Sequence, residues 1–204
     1  VEEFKEAVID YFVESYSRGI TPSPCVICDE KIKIKKLEEF AMKIGAKYIA
    51  TGHYSKLEFS KEFGVKLLAN CQDSKKDQTY MLYRLSEKTL EKMLFPLENL
   101  TKVEVREIAK KAGIESFDKK DSQGICFAPE GYIDFLEKVL GNKLKKGDFI
   151  DKEGKVLGTH RGYQLYTIGQ RRGLNLKLPR AYFVIDIIPE KNQVILGDFE
   201  DLLI

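Results

Sequence analysis

No apolar run in this sequence approaches the ~20 residues that a membrane-crossing helix needs, and its start carries no signal-peptide pattern. Four cysteines in 204 residues do not make a disulfide scaffold. There is one C-x-x-C, Cys25 to Cys28, and no second one to complete a four-cysteine zinc site. Internal repeats and low-complexity tracts are absent. The cysteine spacing suits metal, redox or sulfur chemistry in a reducing cytosol, so the expected location is cytoplasmic. Nothing before Val1 reads as a first strand, which is the pattern of a fragment or of a chain whose beginning is missing.

With 43% apolar residues the chain can build a core, and with 32% charged residues it should be soluble. The formal net charge of +2 hides an asymmetry. Residues 131–180 carry eleven Lys/Arg against five Asp/Glu, and residues 181–204 carry one against five. The basic block is either a phosphate-facing surface or a set of solvated lysine-rich turns.

The apolar spacing predicts a helix over 1–18, closed at Gly19. Pro22 and Pro24 predict an irregular, extended 20–28, with Ser23, Pro24 and Cys25 on a stiff loop. Cys28 then falls near the N-terminus of a helix over 29–44, where the dipole favours a thiolate and the lysines point outward. Lys47–Thr51 reads as a buried strand running into Gly52-His53. Open α/β sheets place ligands at such a strand end, and Gly52 lets one approach the backbone. His53 is read as a site residue or a structural one. A hairpin is expected over 55–70, then the charged segment Lys76-Asp77-Gln78 and a helix through Met81, Leu82 and Leu85. Cys71 has no partner spacing. Ser86 and the Thr101/Glu104 capping box start two more helices.

The stretch Lys119 to Phe127 places Cys126 in a polar loop, with Lys119 and Lys120 upstream to favour its thiolate and Asp121 beside them. Pro129 is expected in the first turn of a helix over 132–140. From about 142 short strands alternate with turns, predicting a small, mostly β second domain. There His160-Arg161-Gly162-Tyr163 and Tyr166 to Leu174 interleave cations, glycines and aromatics, as RNA contact and base stacking require.

Five stretches resemble, in order, those of the tRNA-specific 2-thiouridylases: Thr21 to Cys28, Ala50 to Tyr54, Lys76 to Tyr80, Lys119 to Phe127, and Gly158 to Gly162 with Tyr166 to Leu174. The resemblance implies an α/β fold, a Rossmann-type PP-loop domain of the adenine nucleotide alpha hydrolase-like kind, followed by a small β-rich central domain. The expected division is 1–141 and 142–204. The family's phosphate-cradling N-terminal loop and its C-terminal barrel have no counterpart here, so a fragment inactive on its own is expected.

The resemblance also implies the chemistry. ATP, with Mg2+, adenylates the C2 oxygen of the wobble uridine of tRNA. A persulfide on Cys126 delivers sulfur, and Cys28 is the nucleophile partner that can form a disulfide with it. Gly52 matches an ATP contact. Ser23, Pro24 and Cys25 match the segment that meets the target base, and His53, Lys76, Asp77 and Gln78 match tRNA contacts. A sulfur-donor protein is the implied partner, and no membrane is. Two alternatives stay open. One keeps the function and makes Cys25, Cys28 and Cys126 ligands of a [4Fe–4S] cluster. The other is a non-catalytic RNA-binding fragment with a structural zinc or cluster at those cysteines.

Overall fold

The computed structural model describes residues 1–119, 124–177 and 180–203. The chain divides into two compact units, one made of Val1–Ala7 and Cys25–Gln123, the other of Val8–Pro24 and Gly124–Ile204. The first helix, 2–17, runs from one unit into the other.

In the first unit a continuous helix occupies 24–44. It starts five residues before the expected 29 because Pro24 serves as its first residue. Proline lacks only an N–H that the first turn leaves unbonded anyway, and its fixed φ suits the helix. The expected irregular stretch therefore holds for 20–23 and is corrected for 24–28: Cys25 and Cys28 are helical. Gly45, at φ 72°, ends the helix in the left-handed conformation that glycine tolerates best. Ile34 and Ala41 pack against Ile49, Leu82, Leu90, Met93 and Phe95. Strand β1 (Ile49–Ala50) pairs in parallel with β4 (Met93–Leu94), and β2 (Lys56–Ser60) with β3 (Val65–Ala69) forms the expected hairpin.

The helix expected through Met81 to Leu85 is a single 3-10 turn, Thr79–Met81. Just before it the Asp77 carboxylate accepts from the Thr79 N–H at 3.0 Å and the Thr79 hydroxyl at 3.1 Å. The Thr101/Glu104 capping box is formed and opens the helix Lys102–Lys111.

The second unit holds a four-stranded sheet in the order β6-β5-β8-β7. Its strands are β5 (Gly147–Ile150), β6 (Val156–His160), β7 (Phe183–Ile188) and β8 (Gln193–Gly197). β5 and β8 are parallel and the other pairs antiparallel. The helix Tyr132–Leu140 buries Leu136 and Leu140 in this unit's core, with Phe12, Phe149, Val184, Val194 and Leu196. Full burial of one such side chain is worth about 1.5–3 kcal/mol. Pro129 lies outside that helix, whose cap is Gly131 at φ 113°.

The aromatic residues expected to stack on RNA turn inward. His160 and Tyr166 are buried, and both pack on Phe149, with ring centroids at 5.2 and 5.0 Å. The Tyr163 hydroxyl donates to the Ser17 carbonyl at 2.6 Å. Large aromatic surfaces gain more from core burial than from exposure, so Arg161, Arg171 and Arg172 are left as the exposed part of that pattern.

Candidate functional site

Two groups of predicted residues meet in the first unit. The N-terminus of the 24–44 helix carries Cys25, half-buried in its first turn, and Cys28, buried in its second. Asp29 follows with no solvent exposure. Facing it is the loop that leaves β1, Thr51-Gly52-His53. His53 Nε2 is 3.5 Å from Asp29 Oδ2, and its Nδ1 is 3.0 Å from the Thr51 hydroxyl. The Lys33 ammonium donates to Asp29 Oδ1 at 2.7 Å.

Burial opposes ionisation of Asp29, but the nearby His53 ring and the hydrogen-bonded Lys33 ammonium outweigh it and hold the carboxyl below its ordinary range. Burial likewise works against the Lys33 ammonium, and the Asp29 carboxylate reverses this and raises it. Gly52 is exposed between these anchored neighbours, and a Cβ built there would come no closer than 4.0 Å to Leu97. The backbone is thus open to a ligand at the C-terminal end of β1.

A second group adjoins Tyr54. Gln78 Oε1 accepts from the Tyr54 N–H at 3.1 Å, and the Gln78 N–H donates to the Tyr54 carbonyl at 2.7 Å. Beside this pair lies an open hollow of about 370 Å3 lined by Tyr54, Tyr80, Lys102 and the run Lys75-Lys76-Asp77-Gln78. Lys102 Nζ is 5.6 Å from the Tyr54 ring centroid, in cation–π range. Tyr80 is 66% exposed. Three lysines and an exposed aromatic ring are the kinds of group that contact with phosphate and base would need.

Asp77 serves the loop itself. Besides Thr79, its carboxylate accepts from the Cys71 N–H at 2.9 Å. Desolvation disfavours its charge, but the Cys71 and Thr79 backbone donors lower its pKa overall. Cys71 is therefore part of the scaffold under Lys76, and its thiol donates to the Asp73 carbonyl at 3.3 Å.

Cys126 belongs to the second unit and is exposed. Its neighbours are anchored: Phe127 packs edge-on against Phe12 at 5.3 Å and Phe135 at 5.2 Å, and Ile125 packs on the same core. Lys120 and Asp121, expected to bear on its thiolate, lie outside the described residues. Ser23 is exposed and Pro24 buried. Among the described residues no group of three or more His, Cys, Asp or Glu is arranged to hold a metal ion. Among them, too, no helix is long and apolar enough to cross a membrane.

Sequence reasoning missed Asp29, Lys33, Thr51 and Lys102. Lys33 was counted among the outward lysines, although the Asp29/Lys33 spacing of four was a readable signal. The Asp29–His53 approach had none, because 24 positions separate the two residues.

An α/β unit with a polar site at a parallel strand's C-terminal end, followed by a small β-rich unit, is the class of protein that fold and site define. Comparison with known proteins names the family. A model described as "tRNA methyl transferase HUP domain" matches residues 1–130, and one described as "tRNA methyl transferase PRC-barrel domain" matches residues 133–198. The chain belongs to this family.

It is 51% identical over 203 residues to tRNA-specific 2-thiouridylase MnmA 2 of Fusobacterium nucleatum, covering 100% of this chain and 59% of that protein. It is 46% identical over 202 residues to tRNA-specific 2-thiouridylase MnmA of Carboxydothermus hydrogenoformans, covering 98% and 55%. It is 46% identical over 203 residues to the MnmA 2 of Clostridium tetani, covering 99% and 56%. The chain thus spans rather more than half the length of these curated relatives.

Proposed function

We propose that this chain carries the thiol and tRNA-facing parts of a tRNA-uridine 2-sulfurtransferase acting on the wobble uridine. The observation that carries this reading is the meeting of the Cys25–Cys28 turn with the Thr51-Gly52-His53 loop through Asp29 and His53. A cysteine pair beside the C-terminal end of a parallel strand, where α/β units commonly bind ligands, supports the reading, in a chain whose relatives are named for 2-thiolation.

In this reading Gly52 offers open backbone to the nucleotide. When bound, ATP supplies the adenylyl group that turns the uridine C2 oxygen into a leaving group. The terminal sulfur of a Cys126 persulfide attacks C2, forming the C–S bond as AMP departs. The Cys28 thiolate then attacks the Cys126 sulfur, breaking the S–S bond, so that thiouridine leaves and a disulfide remains. Ser23, Pro24 and Cys25 face the target base. Lys76 contacts the tRNA backbone, while Asp77 and Gln78 position it. A sulfur-donor protein loads Cys126, and the setting is cytoplasmic.

The test is Cys126→Ser in the protein that carries this chain. The expected result is loss of 2-thiouridine, read by nucleoside mass spectrometry, with tRNA affinity nearly unchanged. Substantial residual 2-thiouridine would remove Cys126 from the sulfur-carrying role.

A further inference from the structure

The stretch 171–182 carries Arg171, Arg172, Lys177 and Arg180 and no Asp or Glu. A run of cations is ordinarily a solvated rim. Here the backbone that carries the first two is tied down. The Gly169 N–H donates to the Val184 carbonyl at 2.7 Å, and the Val184 N–H donates to the Gln170 carbonyl at 2.9 Å, which pins the chain to β7 just before Arg171. The Gln170 side chain closes the turn. Its Oε1 accepts from the Thr167 N–H at 3.0 Å, and its Nε2 donates to the Arg172 carbonyl at 3.0 Å. Two residues after Arg172, Leu174 is buried in the second unit's core. Arg171 and Arg172 stand exposed between these anchors, and among the described residues neither is paired with a carboxylate.

Beside them is an open hollow of about 340 Å3, with Arg171, Gly173, Asn175, Arg180 and Tyr182 in its lining. The Arg180 guanidinium lies over the Tyr182 ring, 5.1 Å from its centroid, and its Nη2 is 3.0 Å from Asp198 Oδ2. Ring and carboxylate orient the guanidinium plane, while the side chain stays 60% exposed. The hollow thus joins a cation on fixed backbone with an ordered, accessible guanidinium plane.

We propose that this hollow is an RNA-binding site of the second unit, in which Arg171 and Arg172 hold phosphate oxygens and the exposed face of Arg180 stacks on an unpaired base. The inference rests on the reading of this chain as tRNA-facing. It moves the RNA contact of this unit from the buried His160 and Tyr166 to arginines set around a turn. An arginine fork matches two phosphate oxygens, and its plane stacks on a base as an aromatic ring does. A turn fixed before binding has little freedom left to lose when RNA arrives. Carboxylates of an acidic protein would meet the same charges but leave the Arg180 face unused, which favours RNA.

The experiment is fluorescence polarisation of an end-labelled, unmodified tRNA transcript with the protein that carries this chain, across a salt series. Arg171→Ala with Arg172→Ala is expected to weaken binding about tenfold and to reduce the salt slope by about 2. Arg171→Lys with Arg172→Lys should keep the slope. Arg180→Lys keeps the charge and lacks the plane, so it should weaken binding about fivefold with the slope unchanged. Formation of 2-thiouridine by the Ala pair should show a raised KM for tRNA and an unchanged KM for ATP.

Affinity and slope equal to wild type in the Ala pair would overturn the site, and wild-type affinity in Arg180→Lys would overturn the stacking role. Poly-glutamate that displaces tRNA as well as unlabelled RNA does at equal charge would mark a surface for any polyanion and overturn the RNA assignment. The replaced side chains are exposed, and Arg171→Gln with Arg172→Gln gives the same readout if the Ala pair fails to fold. Arginine-dependent tRNA binding in a wild-type protein that makes no 2-thiouridine would defeat the functional reading and leave this site standing. Thiolation with tRNA affinity unmoved by the Ala pair would do the reverse.

Discussion

Tyr54 and Gln78 hold each other through two hydrogen bonds, Tyr54 N–H to Gln78 Oε1 at 3.1 Å and Gln78 N–H to the Tyr54 carbonyl at 2.7 Å. The loop after β1 and the charged segment 76–78 are thereby tied together, although 24 residues separate the pair. Lys76, exposed on that surface, is the member of its segment whose charge faces outward.

Lys76→Ala is therefore expected to weaken tRNA binding in the protein carrying this chain and to reduce the salt slope of binding by about 1. Filter binding across a salt series measures both. An unchanged slope would take Lys76 off the contact surface.

Asp77→Ala should act on stability instead. It removes an acceptor from the Cys71 N–H, the Thr79 N–H and the Thr79 hydroxyl, at about 1 kcal/mol each. Urea unfolding should show a loss of about 2–3 kcal/mol, with tRNA affinity falling only as the loop loosens. Stability equal to wild type would return Asp77 to the list of direct contacts.

Asp29 links stability to acid. Its folded pKa is lowered, so its contribution is present above the unfolded value of about 3.9 and is lost as pH falls through the lower folded value. Wild type and Asp29→Asn should differ in stability by about 1–3 kcal/mol above about pH 4 and converge below it. Parallel pH–stability curves would show that the ion pair contributes nothing.

At His160, unlike Asp29, burial prevails over the neighbouring groups. Desolvation lowers its pKa, against smaller pulls from the Asn192 backbone and Asp148. The unfolded state therefore binds the proton more readily. The stability of the second unit should be full above about pH 6.5 and decline as pH falls below it. His160→Leu should flatten that part of the curve, as followed by thermal unfolding between about pH 5 and pH 7. A decline that persists in the variant would assign it to another group.

Much of this was legible in the chain. Apolar spacing gave both long helices, Gly19 and Gly45 gave their ends, and Lys61 to Gly64 gave the hairpin turn. These features depend on neighbours within a few positions. Pro24 was read as a breaker and proved to be a helix start, because proline's effect depends on whether the residues after it continue the helix. The aromatic run from His160 to Tyr166 was read as a nucleic-acid surface. Composition cannot tell a stacking ring from a core ring, since the same apolar face serves either.

By itself the sequence determined the cysteine pair, the Gly52-His53 loop after a strand and the five ordered stretches that marked the family. Tertiary structure alone decided which charges act on which groups. Asp29 reaches His53 across 24 positions, and Asp77 turns inward to the Cys71 and Thr79 donors. The reason is physical: a charge's effect depends on the distance and burial of its partners, and neither is set by spacing along the chain.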